Sequence, residues 1–264
     1  ATEDPSAASS PAMSRASTDY AALRLEELIG VGKHKSVTSA WLGEKKLAYI
    51  AVKDGSSYET ELKTIEAIGS HPNIVGFHSV VSSVPAKEGH AFLEEFCEGD
   101  LNGFLRTPKG RLTMGIRRDL AIGLVSAVAF VHEKGIVHRD VNPSNILVSS
   151  FDKPSVKLAD FSLAVNLTEM TTSGNAGTQR YIAPEVLQAR KGTADSKLTA
   201  KADVWSVGCC LIVLYTGRKP FASSVQSFEG VPPEIDLLPD SVRRLVEQCL
   251  VVDVDKRASS HELV

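Results

Sequence analysis

Two segments near the start of the chain contain residue types suited to binding phosphate. The segment IGVG at 29–32 lies between two β-like runs, and its glycines would let backbone N–H groups approach a phosphate closely. The segment IAVK at 50–53 is a strand pattern that ends in a lysine, whose charge would neutralise the α- and β-phosphates of a nucleotide. Each segment alone has a plainer interpretation, because most GxG pairs are turns and a lysine at a strand end is often solvated. Their significance therefore depends on the motifs found later in the chain.

Three further segments occur in order along the chain. HRDVNPSN at 138–145 lies after a buried helical pattern and before the strand-like ILV, which argues against a chance polar turn. LADFS occupies 158–162, and GTQRYIAPE occupies 177–185. In this order the five segments resemble the motifs of the eukaryotic protein kinase superfamily, whose members carry HRDLKPEN, DFG and GTxxYxAPE at these places. The resemblance extends over almost the whole chain and indicates a divergent member of the serine/threonine type.

The resemblance assigns the chemistry to four side chains. It implies that Asp140 orients the hydroxyl of a substrate and accepts its proton, and that Lys53 contacts the phosphates of ATP. It also implies that Asn145 and Asp160 hold Mg²⁺. Because the phosphoryl transition state is loose and highly charged, such a protein mainly positions groups and supplies positive charge. The other residues that the resemblance places around ATP are Ile29, Gly30, Gly32, Val37, Ala51, Glu61, Glu95, Cys97 and Leu147.

Two of these assignments involve specific partners. Glu61 would pair with Lys53, although the interval of eight residues between them is shorter than expected in this family and leaves Glu59 as a rival. The short interval predicts that Glu61 falls in the first turn of a truncated helix, so that the pairing is either weak or dependent on an activator. The backbone groups of Glu95 and Cys97 would hydrogen-bond to the adenine edge.

Other matches concern support of the site. Asp203, in DVWSVG, resembles the aspartate that braces the catalytic loop, and Arg257 resembles the late arginine that pairs with the glutamate of APE, here Glu185. Pro143 and Thr178 match serine/threonine-type motifs.

An arginine before the catalytic aspartate commonly means control by a phosphate on the activation segment, and Arg139 occupies that position. The candidate regulatory phosphosites are Thr171, Thr172 and Ser173, with ordinary loop hydroxyls as the alternative interpretation.

Three residues depart from the family pattern. Asn142 replaces a lysine that would touch the transferred phosphate, and losing such a donor can cost on the order of a hundredfold in rate. Ser162 replaces the glycine of DFG, where a side chain would raise the cost of unusual backbone angles by about 1 kcal/mol. Glu94 stands beside the adenine pocket at a position that is usually apolar or Thr, so it should either reach Lys53 or point to water.

Hydrophobic periodicity predicts a strand-rich part followed by a helix-rich part. The predicted strands are Val37–Leu42, Leu47–Val52, Ile74–Val81 and Ala91–Phe96. The predicted helices are Tyr58–Ile68 with Ser57 as its cap, a segment around Leu120–Val128, Asp203–Tyr215 and Ser241–Val251. The fold class expected is therefore α+β and bilobal, with a small β-rich lobe that carries one key helix and a larger α-helical lobe.

Composition predicts a leader and a compartment, and the resemblance implies the boundaries of the domain. Residues 1–19 are rich in Ala, Ser, Thr and Pro and predict a disordered leader. The kinase-like domain then covers 20–264, with a small lobe at about 20–94, a hinge at 95–99 and a large lobe at 100–264. The net charge of -3 gives no reason to expect nucleic acid as a partner, and no apolar run is long enough for membrane insertion. Four cysteines without metal spacing suit a reducing compartment, cytoplasmic or nuclear.

Three functions are compatible with these motifs. The first is an ATP- and Mg²⁺-dependent kinase of protein Ser and Thr hydroxyls, with a protein substrate and an activating protein as partners. The second is a pseudokinase or weakly active nucleotide-binding module that signals as a scaffold, for which Asn142 and Ser162 argue. The third is a kinase of small molecules, which the activation segment ending in APE disfavours.

Overall fold

The chain divides into two compact units. The computed structural model describes residues 16–32, 34–85, 89–107, 112–169, 177–190, 199–221 and 231–264. The first unit contains the chain up to Lys53 together with His78–Glu94, and the second contains Asp54–Phe77 together with Glu95–Val264. The expected α+β class is confirmed, because the first unit is built on a sheet and the second is mainly helical.

A six-stranded sheet organises the first unit. Its strands are β1 Ser17–Asp19, β2 Leu23–Val31, β3 Lys35–Leu42, β4 Lys45–Val52, β5 Phe77–Ser82 and β6 His90–Glu95, in the spatial order β1-β5-β6-β4-β3-β2. Strands β2, β3 and β4 form an antiparallel meander, and Gly43 takes a positive φ of 61° in the two-residue turn between β3 and β4. Alternate residues of β4, Leu47, Tyr49 and Ala51, pack with Ala91 and Leu93 of β6 in a small apolar core.

The end of the expected disordered leader is ordered. Residues 17–19 form β1, which pairs in parallel with β5, and the N–H of Val80 donates to the carbonyl of Ala16 at 3.0 Å. The hydroxyls of Thr18 and Ser79 hydrogen-bond at 2.8 Å. The prediction of disorder weighed only apolar side chains, whereas these residues are held by main-chain bonds to a sheet edge. The rest of the expected leader, residues 1–15, lies outside the described residues.

Helices form most of the second unit. They are α1 Gly55–Ile68, α2 Leu101–Arg106, α3 Met114–Glu133, α4 Pro184–Arg190, α5 Lys201–Thr216 and α6 Asp240–Cys249. Short strands lie between them: β7 Gly99–Asp100, β8 Ile136–Val137, β9 Ile146–Val148, β10 Val156–Leu158 and β11 Val165–Asn166. Strands β7, β9 and β10 form one antiparallel sheet, and β8 pairs with β11. Helix α5 is buried along almost its whole length, so it forms the centre of the core of this unit.

Helix α1 starts earlier than its sequence pattern predicts. Its N-cap is Asp54, whose side chain accepts a hydrogen bond from the N–H of Ser56 at 3.2 Å, so the prediction of Ser57 as the cap was wrong. The helix runs for 14 residues from Gly55. Glu61 consequently lies in the second turn rather than the first, and the expectation of a truncated helix is corrected. An aspartate before the first apolar position is a capping signal as strong as serine.

The remaining elements match the predicted pattern with shifted ends. The first two predicted strands lie within β3 and β4, whereas Ile74 lies outside β5 and forms an isolated bridge with Leu158. The three predicted helices after residue 100 correspond to α3, α5 and α6. In the described part of the chain, no helix is long and apolar enough to cross a membrane.

Candidate active site

The loop between β8 and β9 is tied to the segment after β10 by a buried histidine. His138 is fully buried, its Nδ1 accepts from the N–H of Asp140 at 3.3 Å, and its Nε2 lies 3.0 Å from the carbonyl of Ala159. Because a carbonyl can only accept, these contacts assign the proton to Nε2. The ring also packs edge-on against Phe161 at 4.9 Å. The two polar motifs at 138–145 and 158–162 therefore form one structural unit.

A buried carboxylate from α5 holds the start of this loop. Asp203 is 1% exposed and accepts hydrogen bonds from the N–H of His138 at 2.7 Å and from the N–H of Arg139 at 2.9 Å. The same carboxylate lies 3.0 Å from Nε2 of His132. Burial alone would raise the pKa of Asp203, but the hydrogen bond and charge of His132, together with the hydrogen bond from the N–H of His138, outweigh burial and lower it. The bracing role implied by the resemblance is confirmed.

Backbone geometry explains why that brace is needed. Arg139 has a φ of 68°, a left-handed conformation that is unfavourable for a residue with a side chain. The hydrogen bonds that Asp203 accepts from His138 and Arg139 hold the loop in this conformation, which turns the chain sharply just before Asp140.

Both oxygens of Asp140 are engaged by neighbouring donors. Its Oδ1 accepts from the N–H of Thr178 at 2.8 Å and from the hydroxyl of Thr178 at 2.9 Å. Its Oδ2 accepts from Nδ2 of Asn145 at 2.9 Å. The motifs at 138–145 and 177–185 are thus joined at the residue predicted to be the proton acceptor. The sequence patterns assign Thr178 only to the serine/threonine type, although its place directly after Gly177 in the third motif is the signal that could have identified it.

The loop orients the side chain of Asn145 so that its amide oxygen, Oδ1, remains for another ligand. Its Nδ2 donates to the main-chain carbonyl of Asp140 at 2.9 Å as well as to the carboxylate, and its own main-chain carbonyl accepts from the N–H of Ala159 at 2.9 Å. With the amide nitrogen directed at Asp140, Oδ1 faces the opposite way. An amide oxygen near a carboxylate is the kind of ligand that Mg²⁺ prefers. The residues present therefore fit the metal that the resemblance implies.

The third motif residue, Asp160, has an unusual backbone and a hydrogen-bonded carboxylate. Its φ is 64°, and its Oδ1 accepts from the hydroxyl of Ser162 at 2.7 Å. Among the residues that the structure describes, the non-glycine residues with positive φ include Asp160 but not Ser162. The expected backbone cost at Ser162 was therefore wrong, because the unusual angle falls two residues earlier. What the serine contributes is a donor to the carboxylate that the resemblance assigns to metal.

Asn142 acts as a hydrogen-bonding hub. It is 4% exposed, and its Nδ2 donates to the carbonyl of Asp140 at 3.0 Å and to Oγ1 of Thr178 at 3.2 Å. Its Oδ1 accepts from the N–H of Ser144 at 2.9 Å. The sequence pattern identifies only the loss of a lysine at this position, whereas the structure identifies the contacts that the replacement makes.

A second cation lies near Asp140 besides the arginine of the loop. Burial lowers the pKa of Arg190, the charge of Arg139 lowers it further, and the charge of Asp140 raises it. Burial also lowers the pKa of Arg139, which the charge of Asp203 partly offsets. Arg190 is therefore close enough to Arg139 and Asp140 to interact with both charges. The sequence patterns assigned Arg190 no role. The proposed phosphosites Thr171, Thr172 and Ser173 lie outside the described residues.

The predicted pair behind the third motif is present. Arg257 is bound by Glu185 through two hydrogen bonds of 2.6 and 2.8 Å, and both side chains are buried. The guanidinium also donates to the carbonyl of Lys201 at 2.9 Å and lies over the ring of Trp205 at 5.1 Å. A buried bidentate pair of this kind fixes the position of α4 relative to α5.

In the first unit the two predicted phosphate-binding segments lie close to one turn, which connects β2 and β3. Gly30 pairs with Val37 across β2 and β3, and the N–H of Gly32 donates to the carbonyl of Lys35 at 2.8 Å. The N–H of Lys53 donates to the carbonyl of His34 at 3.1 Å, which brings the end of β4 to the same turn. The side chain of Lys53 is exposed.

The residues assigned to the adenine pocket have differing environments. Ala51 is buried in β4, whereas Ile29 is exposed on β2. Leu147 is half-buried in β9, opposite Lys157 of β10. Glu61 on α1 is 1% exposed. These assignments to ATP remain predictions.

The segment around the predicted hinge has two notable carboxylates. Glu94 is 8% exposed, so the alternative in which it points to water was wrong. The N–H of Glu95 donates to the carbonyl of Gly76 at 2.7 Å, and its carboxylate lies 2.8 Å from Nζ of Lys157. Of the main-chain groups of Glu95, the carbonyl is therefore the candidate for adenine. The thiol of Cys97 is half-buried.

Comparison with known proteins agrees with this fold and site. The family model described as protein kinase domain matches residues 24–264. The chain is 36% identical over 207 residues to CBL-interacting protein kinase 16 of Oryza sativa subsp. japonica, covering 74% of this chain and 42% of that protein. It is 31% identical over 258 residues to serine/threonine-protein kinase ULK3 of Xenopus laevis, covering 89% of this chain and 52% of that protein. It is 31% identical over 185 residues to mitogen-activated protein kinase kinase kinase 5 of Arabidopsis thaliana, covering 69% of this chain and 25% of that protein.

These similarities define the class. The chain belongs to the protein kinase family and is of the serine/threonine type. It spans between a quarter and about half of the length of these relatives.

Proposed function

We propose that this domain transfers the γ-phosphoryl group of ATP to Ser and Thr hydroxyls of proteins in a Mg²⁺-dependent reaction. The observation that carries the proposal is the hydrogen-bonded state of Asp140. A carboxylate has about four lone-pair sites. The two donors of Thr178 occupy those of Oδ1, whereas Oδ2 receives a single bond from Asn145. Oδ2 is therefore the oxygen with capacity for a substrate hydroxyl.

In this proposal the residues of the chain position and deprotonate the acceptor. Asp140 Oδ2 takes the proton of the hydroxyl while the hydroxyl oxygen bonds to the γ-phosphorus and ADP departs. The bonds from Thr178 and Asn145 hold the carboxylate in one orientation, which removes the entropic cost of aligning it during the reaction. His138 and Asp203 fix the backbone of the loop through hydrogen bonds, and this holds the carboxylate of Asp140 in place.

Asn145 and Asp160 would hold the metal through their side-chain oxygens. When bound, Mg²⁺ neutralises charge on the phosphate oxygens. The hydroxyl of Ser162 donates to Oδ1 of Asp160 and would compete with the metal for that oxygen.

The test is transfer of labelled phosphate from ATP to a generic Ser/Thr protein substrate in the presence of Mg²⁺, with Asp140→Asn and Asp160→Ala as controls. The proposal expects transfer by the wild-type domain. It also expects Asp140→Asn to abolish transfer while leaving ATP affinity nearly unchanged, because Asp140 is assigned to the hydroxyl rather than to the nucleotide. If Asp140→Asn lost binding and transfer equally, the role assigned to Asp140 would be wrong.

A second candidate is a nucleotide-binding module with little or no transfer. It is favoured by the burial of neutral Asn142 in place of a phosphate-contacting cation and by the hydrogen bond from Ser162 to Asp160. A Mg²⁺-dependent thermal shift with ATP, without transfer, would select this candidate.

Partners and compartment are proposed on the same basis. A protein substrate is expected from the family, and an activating protein is proposed because three related kinases are named for interaction with CBL. We place the domain in the cytoplasm or nucleus because its cysteines are free thiols, three of them buried.

A further inference from the structure

The side-chain amide of Asn142 has all its donors committed and a single possible orientation. The N–H of Ser144 donates to Oδ1 at 2.9 Å, which directs Nδ2 the other way. The two hydrogens of Nδ2 then go to the carbonyl of Asp140 at 3.0 Å and to Oγ1 of Thr178 at 3.2 Å. A flipped amide would place Oδ1 against the carbonyl of Asp140 and Nδ2 against the N–H of Ser144. The orientation is therefore imposed by the loop itself.

This orientation determines the direction of the next hydrogen bond. Since Nδ2 of Asn142 can only donate, Oγ1 of Thr178 must use a lone pair to receive it. Since the carboxylate of Asp140 can only accept, the hydroxyl proton of Thr178 must point at Oδ1, 2.9 Å away. The three groups form a directed chain from Asn142 through Thr178 to Asp140.

The exposure of each residue shows which of the three hydrogen-bonded groups requires a second contact to stay in place. Thr178 is exposed, so its hydroxyl is open to water and would be free to rotate without a second contact. Asn142 is 4% exposed, and its Nδ2 donates to that hydroxyl at 3.2 Å. The donation from Asn142 leaves the bond to Asp140 as the direction available to the hydroxyl proton.

The backbone beside Thr178 brings the two segments together. Gly177 has a φ of 101°, and a Cβ added there would lie 2.7 Å from the carbonyl oxygen of Arg139. Only glycine permits this close approach. The approach places the N–H of Thr178 on Asp140 and its hydroxyl within reach of Asn142.

We propose that Asn142 is a positioning residue, which fixes the Thr178 hydroxyl and through it leaves Oδ2 of Asp140 for the acceptor hydroxyl. The proposal rests on the proposed function. An asparagine can do this without a positive charge, because the link needs donors and one acceptor. A lysine at this position would supply donors but no acceptor for the N–H of Ser144.

The first test is a double-mutant cycle with Asn142→Ala, Thr178→Val and the double variant, measured as kcat and as KM for ATP and for substrate. Each single variant is expected to lower kcat about fivefold, the effect of one ordinary hydrogen bond, with KM for ATP unchanged. The double variant is expected to be no slower than about fivefold, because both changes break the same chain. Thr178→Ser keeps the hydroxyl and is expected to restore most of the rate. Independent losses that multiply to about 25-fold would overturn the proposal, as would an effect confined to KM for ATP.

The second test does not depend on transfer. Hydrogen exchange at the N–H of Thr178 is expected to be about fivefold faster in Asn142→Ala, because the segment end is held less firmly. The N–H of His138, bound by Asp203, serves as the control and should not change. Unchanged exchange at Thr178 would refute the link between Asn142 and Thr178. If the wild-type domain showed no transfer, the proposed function would fail while exchange still decided the link.

Discussion

Replacing Asp203 by asparagine should destabilise the domain substantially, although the two side chains have nearly the same shape. The carboxylate accepts two main-chain bonds, at 2.7 and 2.9 Å, and lies 3.0 Å from His132. In Asp203→Asn one oxygen becomes an NH₂ group, which faces a donor and cannot accept. A bond to a charged group contributes about 1.5–3 kcal/mol. The loss of at least one such bond, with a buried donor left unpaired, gives about 3 kcal/mol.

This loss is measurable by unfolding. For a chain of this size, about 3 kcal/mol corresponds to a fall in Tm of roughly 6–12 °C. The assay is urea and thermal unfolding of Asp203→Asn beside Asp119→Asn, an exposed aspartate on α3 whose replacement should change stability by less than about 0.5 kcal/mol. Transfer should fall with stability, because Asp203 also holds the positive φ of Arg139. If Asp203→Asn were no less stable than Asp119→Asn, the brace would contribute nothing and the reasoning would be refuted.

Three further predictions rest on contacts of the same region. The pKa of Asp203 is lowered in the folded state, so its carboxylate stabilises the folded state fully at pH values above its ordinary pKa. This contribution is lost as the pH falls through the lower folded-state pKa. The difference in unfolding free energy between wild type and Asp203→Asn should therefore shrink in acid unfolding titrations. Ser162→Gly removes a donor 2.7 Å from Asp160 and should raise Mg²⁺ affinity about fivefold in a titration of the ATP-dependent thermal shift. A lower affinity would mean instead that the serine orients the carboxylate for the metal. Arg257→Met leaves the buried carboxylate of Glu185 unpaired and should cost about 3–5 kcal/mol in urea unfolding, and a loss below about 1 kcal/mol would contradict this.

Residue types and their order were sufficient to predict much of the fold and of the catalytic loop. Strands β3 and β4 and helices α3, α5 and α6 carry clear apolar patterns, because each buries one face or all of its surface. Asp203 and the pair of Glu185 with Arg257 were also predictable, since they belong to motifs whose spacing is characteristic. In these cases the signal lies in side-chain type.

The features that sequence could not predict depend on direction and on main-chain contacts. The residue type at position 142 shows that the family lysine is replaced. The direction of each hydrogen bond of Asn142, however, depends on where the fold places Ser144 and Thr178. The positive φ of Asp160 cannot be read from a serine two residues later. Strand β1 has almost no apolar signal, because the bonds that order it are made by the backbone.

We expect that short strand to affect how the domain behaves at high concentration. Strand β1 covers one edge of β5 and uses the main-chain groups that an unpaired edge would present to other molecules. An uncovered edge is a template for pairing with a second chain. A version shortened to begin at Tyr20 should therefore self-associate as its concentration rises, which sedimentation would detect, while a version that keeps residues 16–19 stays monodisperse. We therefore expect the three polar residues of β1 to reduce aggregation by covering the edge of β5.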